Sequence, residues 1–454
     1  MRKRTIVWPA LALAAVVPAL GGAAPLKVQP PQLAVREHRL ANGLRVLLHE
    51  DHSVPVVSLQ VWYHVGSKDE RPGRSGFAHL FEHLMFKGSE NLASGEFTEY
   101  IQSIGGRFNA TTDFDRTLYF EIIPSNHLER LLWMEADRMR ALDVSEANFL
   151  SERDVVKEER RLRVDNPPFG RLFEVVLANT FTTHPYRILS IGSMADLDAA
   201  TIEDVRAFHA TYYVPNNATV ILSGDVGPQQ ALAWVEKYFG PIPKGGEIPR
   251  NIPQEPVQTA ERRVVEHDAN TPLPVVMLTY HVPEEGHPDT YALVVASRIL
   301  SEGQSSRLYR KLVYEQQIAL QAGGEALTVE DPGVFYFYGI LQQGHGIEEA
   351  EKSLLEEIER LQQQPVSAEE LDKARNQIIA GQVFNRQTVN DKAGDIGYAE
   401  VILGDWHLVN QQIERYQKVS AADVQAVARK YFRPENRTIV HMLPETMQPS
   451  EGKP

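Results

Sequence analysis

Two segments of this chain align without a gap. DVRAFHATYYVPNNATVI begins at Asp204, and DVQAVARKYFRPENRTIV begins at Asp423, 219 residues later. Pro215 matches Pro434, Asn217 matches Asn436 and Thr219 matches Thr438. Each segment reads as an amphipathic helix, an aromatic residue, a proline turn and a β-branched strand. Agreement at the turn favours duplication over coincidence. A duplicated chain of 454 residues is expected to build two related cores. The expected limits are 25–240 for the first half and 263–454 for the second. Between them, 241–262 carries Pro243, Pro249 and Pro253 with Gly245 and Gly246, and reads as an interdomain linker.

Within the first half, Leu44 to Leu48 and Val56 to Val61 are apolar enough to be strands. Phe97, Tyr100, Ile101 and Ile104 fall on one helical face, and Gly105-Gly106 stops that helix. Asn109 to Thr112 and Leu118 to Ile122 then read as a strand pair. This mixture predicts an α+β fold, each half a largely antiparallel sheet packed with helices.

Hydrophobic residues make up 43% of the chain and charged residues 23%, which argues against extensive disorder. The net charge of -14 argues against nucleic acid as a main partner. Arg2, Lys3 and Arg4, the apolar run Ile6 to Leu20 and the small residues Gly21 to Ala24 read as an export signal over 1–24. The apolar core is short for an uncleaved anchor, the alternative reading. A periplasmic or extracellular location is expected, with the mature protein either free or docked on a membrane. The chain has no cysteine, so disulfides, thiolate metal sites and a cysteine nucleophile are excluded.

Any metal must therefore be held by histidine and carboxylate. Gly76 to Ser89, GFAHLFEHLMFKGS, has no internal proline and reads as a helix. His79 and His83 are four apart, so both imidazoles leave one face and can meet a single zinc ion. Glu82 sits beside them, placed to take a proton from water at the metal. The pattern is H-x-x-E-H. Phe77, Leu80, Phe81, Leu84, Met85 and Phe86 make the helix apolar nearly all round, so it is expected to be buried. Buried polar groups need partners, and a metal supplies them.

A third protein ligand is then required. The best donor segment is SERDVVKEERRLRVDNPP from Ser151, a helix ended by Asn166-Pro167-Pro168. Glu152 and Glu159 are two turns apart and share a face, with Val155 expected between them. Glu159 is the expected ligand, with Glu158 as the fallback. Glu152 is expected to orient a ligand histidine.

With these residues the sequence resembles the pitrilysin and insulinase group of inverted-motif zinc peptidases, which includes the mitochondrial processing peptidases. In that group H-x-x-E-H is followed by a glutamate pair seven apart, here Glu152 and Glu159. GGRFNATTDFDRTLY from Gly105, HPYR from His184, YYVPNNATVILSGDV from Tyr212 and GQSSRLYRKL from Gly303 are also similar. The resemblance implies two homologous α+β domains per chain, forming a bowl-shaped half of a clamshell that closes as a dimer. It implies Zn2+ as cofactor, Glu82 as general base, and peptides or unfolded segments as substrates. It also implies that Phe108, Asn109 and Ala110 form a sheet edge on which substrate adds as a strand.

One departure bears on activity. Active relatives often carry an arginine and a tyrosine, seven apart, in the C-terminal half. In an ungapped register these positions are Val313 and Leu320. The expectation is a metal-bearing subunit whose sister chain supplies the missing pair. The second half also lacks another H-x-x-E-H, so one zinc per chain is expected. The alternatives are a non-catalytic peptide-binding or structural subunit, or a metallo-hydrolase acting on a small substrate.

Overall fold

In a computed structural model of the chain, residues 32–447 are described; the export-signal expectation over 1–24 lies outside them. Among the described residues the first half forms six strands: β1 (Val35–Arg39), β2 (Arg45–Glu50), β3 (Val56–Tyr63), β4 (Arg107–Thr112), β5 (Thr117–Pro124) and β6 (Ala218–Gly224). Five follow in the second: β7 (Arg262–Asp268), β8 (Val275–His281), β9 (Ala319–Leu327), β10 (Val334–Leu341) and β11 (Arg437–Pro444). The sheet orders are β1-β2-β6-β3-β5-β4 and β7-β11-β8-β10-β9. β2 runs parallel to β6 and β7 to β11; every other pair is antiparallel. Without β1, the two sheets have one topology.

The duplicated segments fold alike down to single hydrogen bonds. Capping boxes open both helices, Thr201 with Asp204 and Ser420 with Asp423. Asn217 Nδ2 donates to the Tyr212 carbonyl at 2.9 Å, and Asn436 Nδ2 to the Tyr431 carbonyl at 2.8 Å. Each asparagine thus satisfies a carbonyl left free at a helix end, which accounts for its recurrence.

The halves also exchange a helix. Leu172–Thr180, from the first half, packs Leu172, Val175 and Val176 on Val275, Met277, Val440 and Met442 of the second sheet. Its counterpart 217 residues on, Val389–Val401, packs Ala393 and Ile396 on Leu47, Trp62 and Ile221 of the first. Both faces of β3 are therefore covered. Val57, Leu59 and Val61 enter the first core, while Ser58 and Gln60 bond Asn390 of the visiting helix at 3.0 Å.

A buried ion cluster adds to this clasp. Lys68 is 4% exposed, and its Nζ lies within 3.0 Å of carboxylate oxygens of Asp115, Glu330 and Asp331. A lysine is removed from water only where opposite charge compensates it. His184, from HPYR, reaches Asp331 at 3.4 Å. The proline-rich stretch has no regular secondary structure from 243 to 259, yet it is pinned. Arg250 bonds Asp69 at 2.8 Å, and Glu255 accepts from the N–H groups of Thr182, Thr183 and His184. No helix among the described residues is long and apolar enough to cross a membrane.

Candidate metal centre

The histidine helix runs Phe77–Leu84, shorter than the 76–89 expected from sequence. Gly88 adopts a left-handed φ of 107°, and a Cβ there would lie 2.8 Å from the Leu92 carbonyl, so the chain turns away. At the other end the Glu70 carboxylate accepts from the N–H groups of Gly76 and Ala78, at 2.9 and 2.8 Å. These are helix-start donors without intrahelical partners. Phe77, Leu80, Phe81 and Leu84 enter the core, and His79 and His83 leave the opposite face.

The helix Glu146–Arg160 continues as a π-turn to Asp165 and stops at Asn166, as the following prolines require. It crosses the imidazoles. Donor atoms of His79, His83 and Glu159 all lie within 4.8 Å of one another. Glu159 oxygens are 3.6 Å from His79 Nε2 and 3.2 Å from His83 Nε2. Glu152, 4% exposed, is 3.5 Å from His83 Nδ1, on the side of the ring away from Glu159. Two sequence expectations are corrected. Glu158 points outward and pairs with Arg161 at 2.9 Å. Val155 is 45% exposed, and Val156 is the valine buried in the core between the two glutamates.

Three side chains not singled out in the sequence touch this group. Lys87 Nζ is 2.7 Å from Glu152 Oε1. Arg163 lies 2.8 Å from Glu159 Oε1. Thr112 Oγ1 donates to Glu82 Oε2 at 2.7 Å. The first two were findable by spacing: each stands four residues from a proposed ligand, Arg163 on the π-turn and Lys87 just beyond the end of the histidine helix. Thr112 required the tertiary fold.

Burial pushes the His79 imidazole down to about 4, against the pull of Glu159, so it is neutral as a metal ligand must be. Burial also opposes charge on His83, but Glu152, Glu159 and Glu82 raise it overall. Glu82 is raised by burial, with Thr112 offsetting part of the rise. Burial would raise Glu152, but His83 and Lys87 hold it below the usual carboxylate range. Two imidazoles and a carboxylate, converging without cysteine, are a donor set suited to a divalent first-row ion with a position left open. His79 Nδ1 is buried without a hydrogen-bond partner, so the protein alone does not satisfy this ring.

β4 lies along the centre and forms the edge of its sheet, with no strand on its outer side among the described residues. Phe108 is half-buried, 5.4 Å from the Phe86 ring; Asn109 is exposed and Ala110 buried. Val313 packs half-buried against the second core, and Leu320 is 50% exposed on β9.

Fold and sequence have close counterparts. Residues 45–191 match the insulinase family, peptidase family M16, and 199–378 match the family's inactive domain. The chain is 35% identical over 414 residues to the zinc protease PqqE of Helicobacter pylori, covering 89% of this chain and 92% of the relative. The crystal structure of a protease from Helicobacter pylori superposes with a TM-score of 0.87 at 34% identity, covering 91% of this chain and all of that one. The first half of the periplasmic protease PqqL from Escherichia coli shares the fold, with a TM-score of 0.75 at 19% identity over 91% of this chain and 93% of that one. The α+β fold of two similar sheets is what this chain shares with these structures. This chain belongs to the insulinase family of peptidases.

Proposed function

We propose that the chain is a zinc metalloendopeptidase acting on peptides or unfolded polypeptide segments. The observation that carries this reading is the convergence of His79, His83 and Glu159 beside Glu82. Names of relatives support the metal: PqqE of Helicobacter pylori and YmxG of Bacillus subtilis, 24% identical over 420 residues, are both called zinc proteases.

His79, His83 and Glu159 would hold the ion. When bound, zinc supplies Lewis acidity at the scissile carbonyl and makes water nucleophilic at neutral pH. Glu82 accepts the proton of the attacking water and returns it to the leaving amine. Thr112 fixes the Glu82 carboxylate. Glu152 fixes the His83 ring, with Lys87 compensating its charge. The backbone of Phe108, Asn109 and Ala110 offers free donors and acceptors to an extended substrate, which gives binding tolerant of sequence.

The site is completed by a second subunit in this reading. Neither Val313 nor Leu320 offers a polar group to substrate, so an arginine and a tyrosine would come from a sister chain. The amino-terminal pattern and the periplasmic relative PqqL favour action outside the cytoplasm. Metal analysis and cleavage of a mixed peptide library test the proposal, on the wild-type chain and on Glu82→Gln. One zinc per chain, with cleavage abolished by the substitution, is the expected result once the partner is present. Absence of zinc would overturn the reading, and full turnover by the isolated chain would remove the sister subunit from it.

A further inference from the structure

The two helices that carry the candidate ligands are joined by a third piece of chain: the turn Ile191-Gly192-Ser193 and the short helix Met194–Ala199 behind it. On one side this piece meets the start of the histidine helix. Gly192 has a left-handed φ of 74°, and a Cβ there would lie 2.4 Å from the Gly76 nitrogen. Only glycine lets two backbones approach so closely. A Cβ at Gly76 would in turn lie 2.8 Å from the Ile191 carbonyl oxygen. The Ser193 N–H donates to Ser75 Oγ at 3.0 Å, and the Ser75 N–H donates to Asp196 at 3.1 Å.

On the other side the same piece meets the last turn of the glutamate helix. Arg160, next to Glu159, is buried. Its Nη1 donates to the Gly192 carbonyl at 2.5 Å. Its Nη2 lies 2.7 Å from Glu174 and 3.3 Å from Asp165, so its charge is compensated and the guanidinium plane is fixed. One turn earlier, Lys157 Nζ is 2.5 Å from Asp198. Gly192 therefore touches both ligand-bearing helices, one through its Cα and the other through its carbonyl. Phe149 and Val156 of the glutamate helix also enter the first core. Apolar packing of that kind is non-directional and permits sliding. Hydrogen bonds to a fixed turn do not.

We infer that the 191–193 turn, clamped by Arg160, sets the register of Glu159 against His79 and His83. Arg160 is thus a positioning residue for the metal centre. Bonds to zinc are about 2 Å long, so a small slide of one helix distorts the set. The inference rests on the reading of His79, His83 and Glu159 as the ligands.

Zinc affinity by chelator competition, and the visible spectrum of bound cobalt(II), test this on the full chain. The cobalt bands report coordination geometry. Arg160→Met keeps the aliphatic stem and removes the clamp. Its zinc affinity should fall by about tenfold or more, and its cobalt bands should shift. Ser75→Ala breaks the opposite side of the same turn and should shift the bands too. Urea unfolding of the metal-free proteins shows which variants are folded. A folded Arg160→Met with wild-type affinity and bands overturns the inference. So does a fall in affinity with unchanged bands, which would reduce Arg160 to a support of the fold. If Arg160→Met does not fold, Ser75→Ala decides, and wild-type bands there overturn the inference. A wild-type chain that binds neither metal would sink the ligand assignment and this inference with it. Unaltered variants beside a metal-binding wild type would sink the inference alone.

Discussion

Thr112 Oγ1 donates a 2.7 Å hydrogen bond to Glu82 Oε2. This contact ties the proposed general base to the last residue of the edge strand proposed to carry substrate. A general base held in one rotamer loses less on reaching the transition state. Thr112→Val preserves shape and removes the donor. It should lower kcat by about tenfold with zinc content unchanged, and Thr112→Ser should restore most of the loss. Steady-state kinetics with metal analysis check this. Wild-type turnover in the valine variant would mean Glu82 is oriented by something else.

Lys87, Glu152 and His83 form a chain of contacts at 2.7 and 3.5 Å. Glu152 is buried, so its charge depends on Lys87 for compensation. In Lys87→Met the carboxylate loses that partner, and the His83 ring loses a fixed support. Zinc affinity, measured by competition with a chelator, should fall by about tenfold or more. Lys87→Arg should recover part of it. An unchanged affinity would reduce Lys87 to a surface contact.

The metal helix was legible because its information is local: two histidines four apart share a face whatever surrounds them. The choice between Glu158 and Glu159 rested on their spacing to Glu152, and the fold places 159 inward. Val155 and Val156 both fall between the two glutamates, and only packing against the first core decides which is buried. The halves were visible as a repeat, but the exchange of the Leu172–Thr180 and Val389–Val401 helices was not. An apolar helical stripe looks the same whichever sheet it covers. Burial of Lys68 was also hidden, since a lone lysine reads as solvated until its three carboxylates arrive from distant loops.

The exchanged helix depends on one glycine. A Cβ at Gly397 would lie 2.2 Å from the Trp62 indole, whose Nε1 is itself bonded to Gln60 at 2.9 Å. Glycine inside a helix ordinarily costs about 1 kcal/mol relative to alanine. Here the close approach reverses the sign. Gly397→Ala should destabilise the chain by about 1–3 kcal/mol, because the indole must move from a packed site. Denaturant titration, followed by tryptophan fluorescence, checks this. A more stable variant would show that the Trp62 contact relaxes freely.

The linker supplies a pH-dependent clasp at Glu255. Burial alone would raise this carboxyl, but the Thr182 hydroxyl and the N–H groups of Thr182, Thr183 and His184 hold it down at about 2. A depressed carboxyl favours the folded state fully above its unfolded value, near 4.5, and that contribution is lost as pH falls toward 2. Because Glu255 is only partly buried, solvent screening leaves it on the order of 1 kcal/mol. Glu255→Gln should therefore destabilise the chain by about that amount near neutral pH. The gap between variant and wild type should narrow steadily as the pH drops below 4.5. Urea unfolding on both sides of that value measures it. A gap that stays constant with pH would mean the glutamate acts through packing rather than charge, since only the ionised form accepts all of these donors.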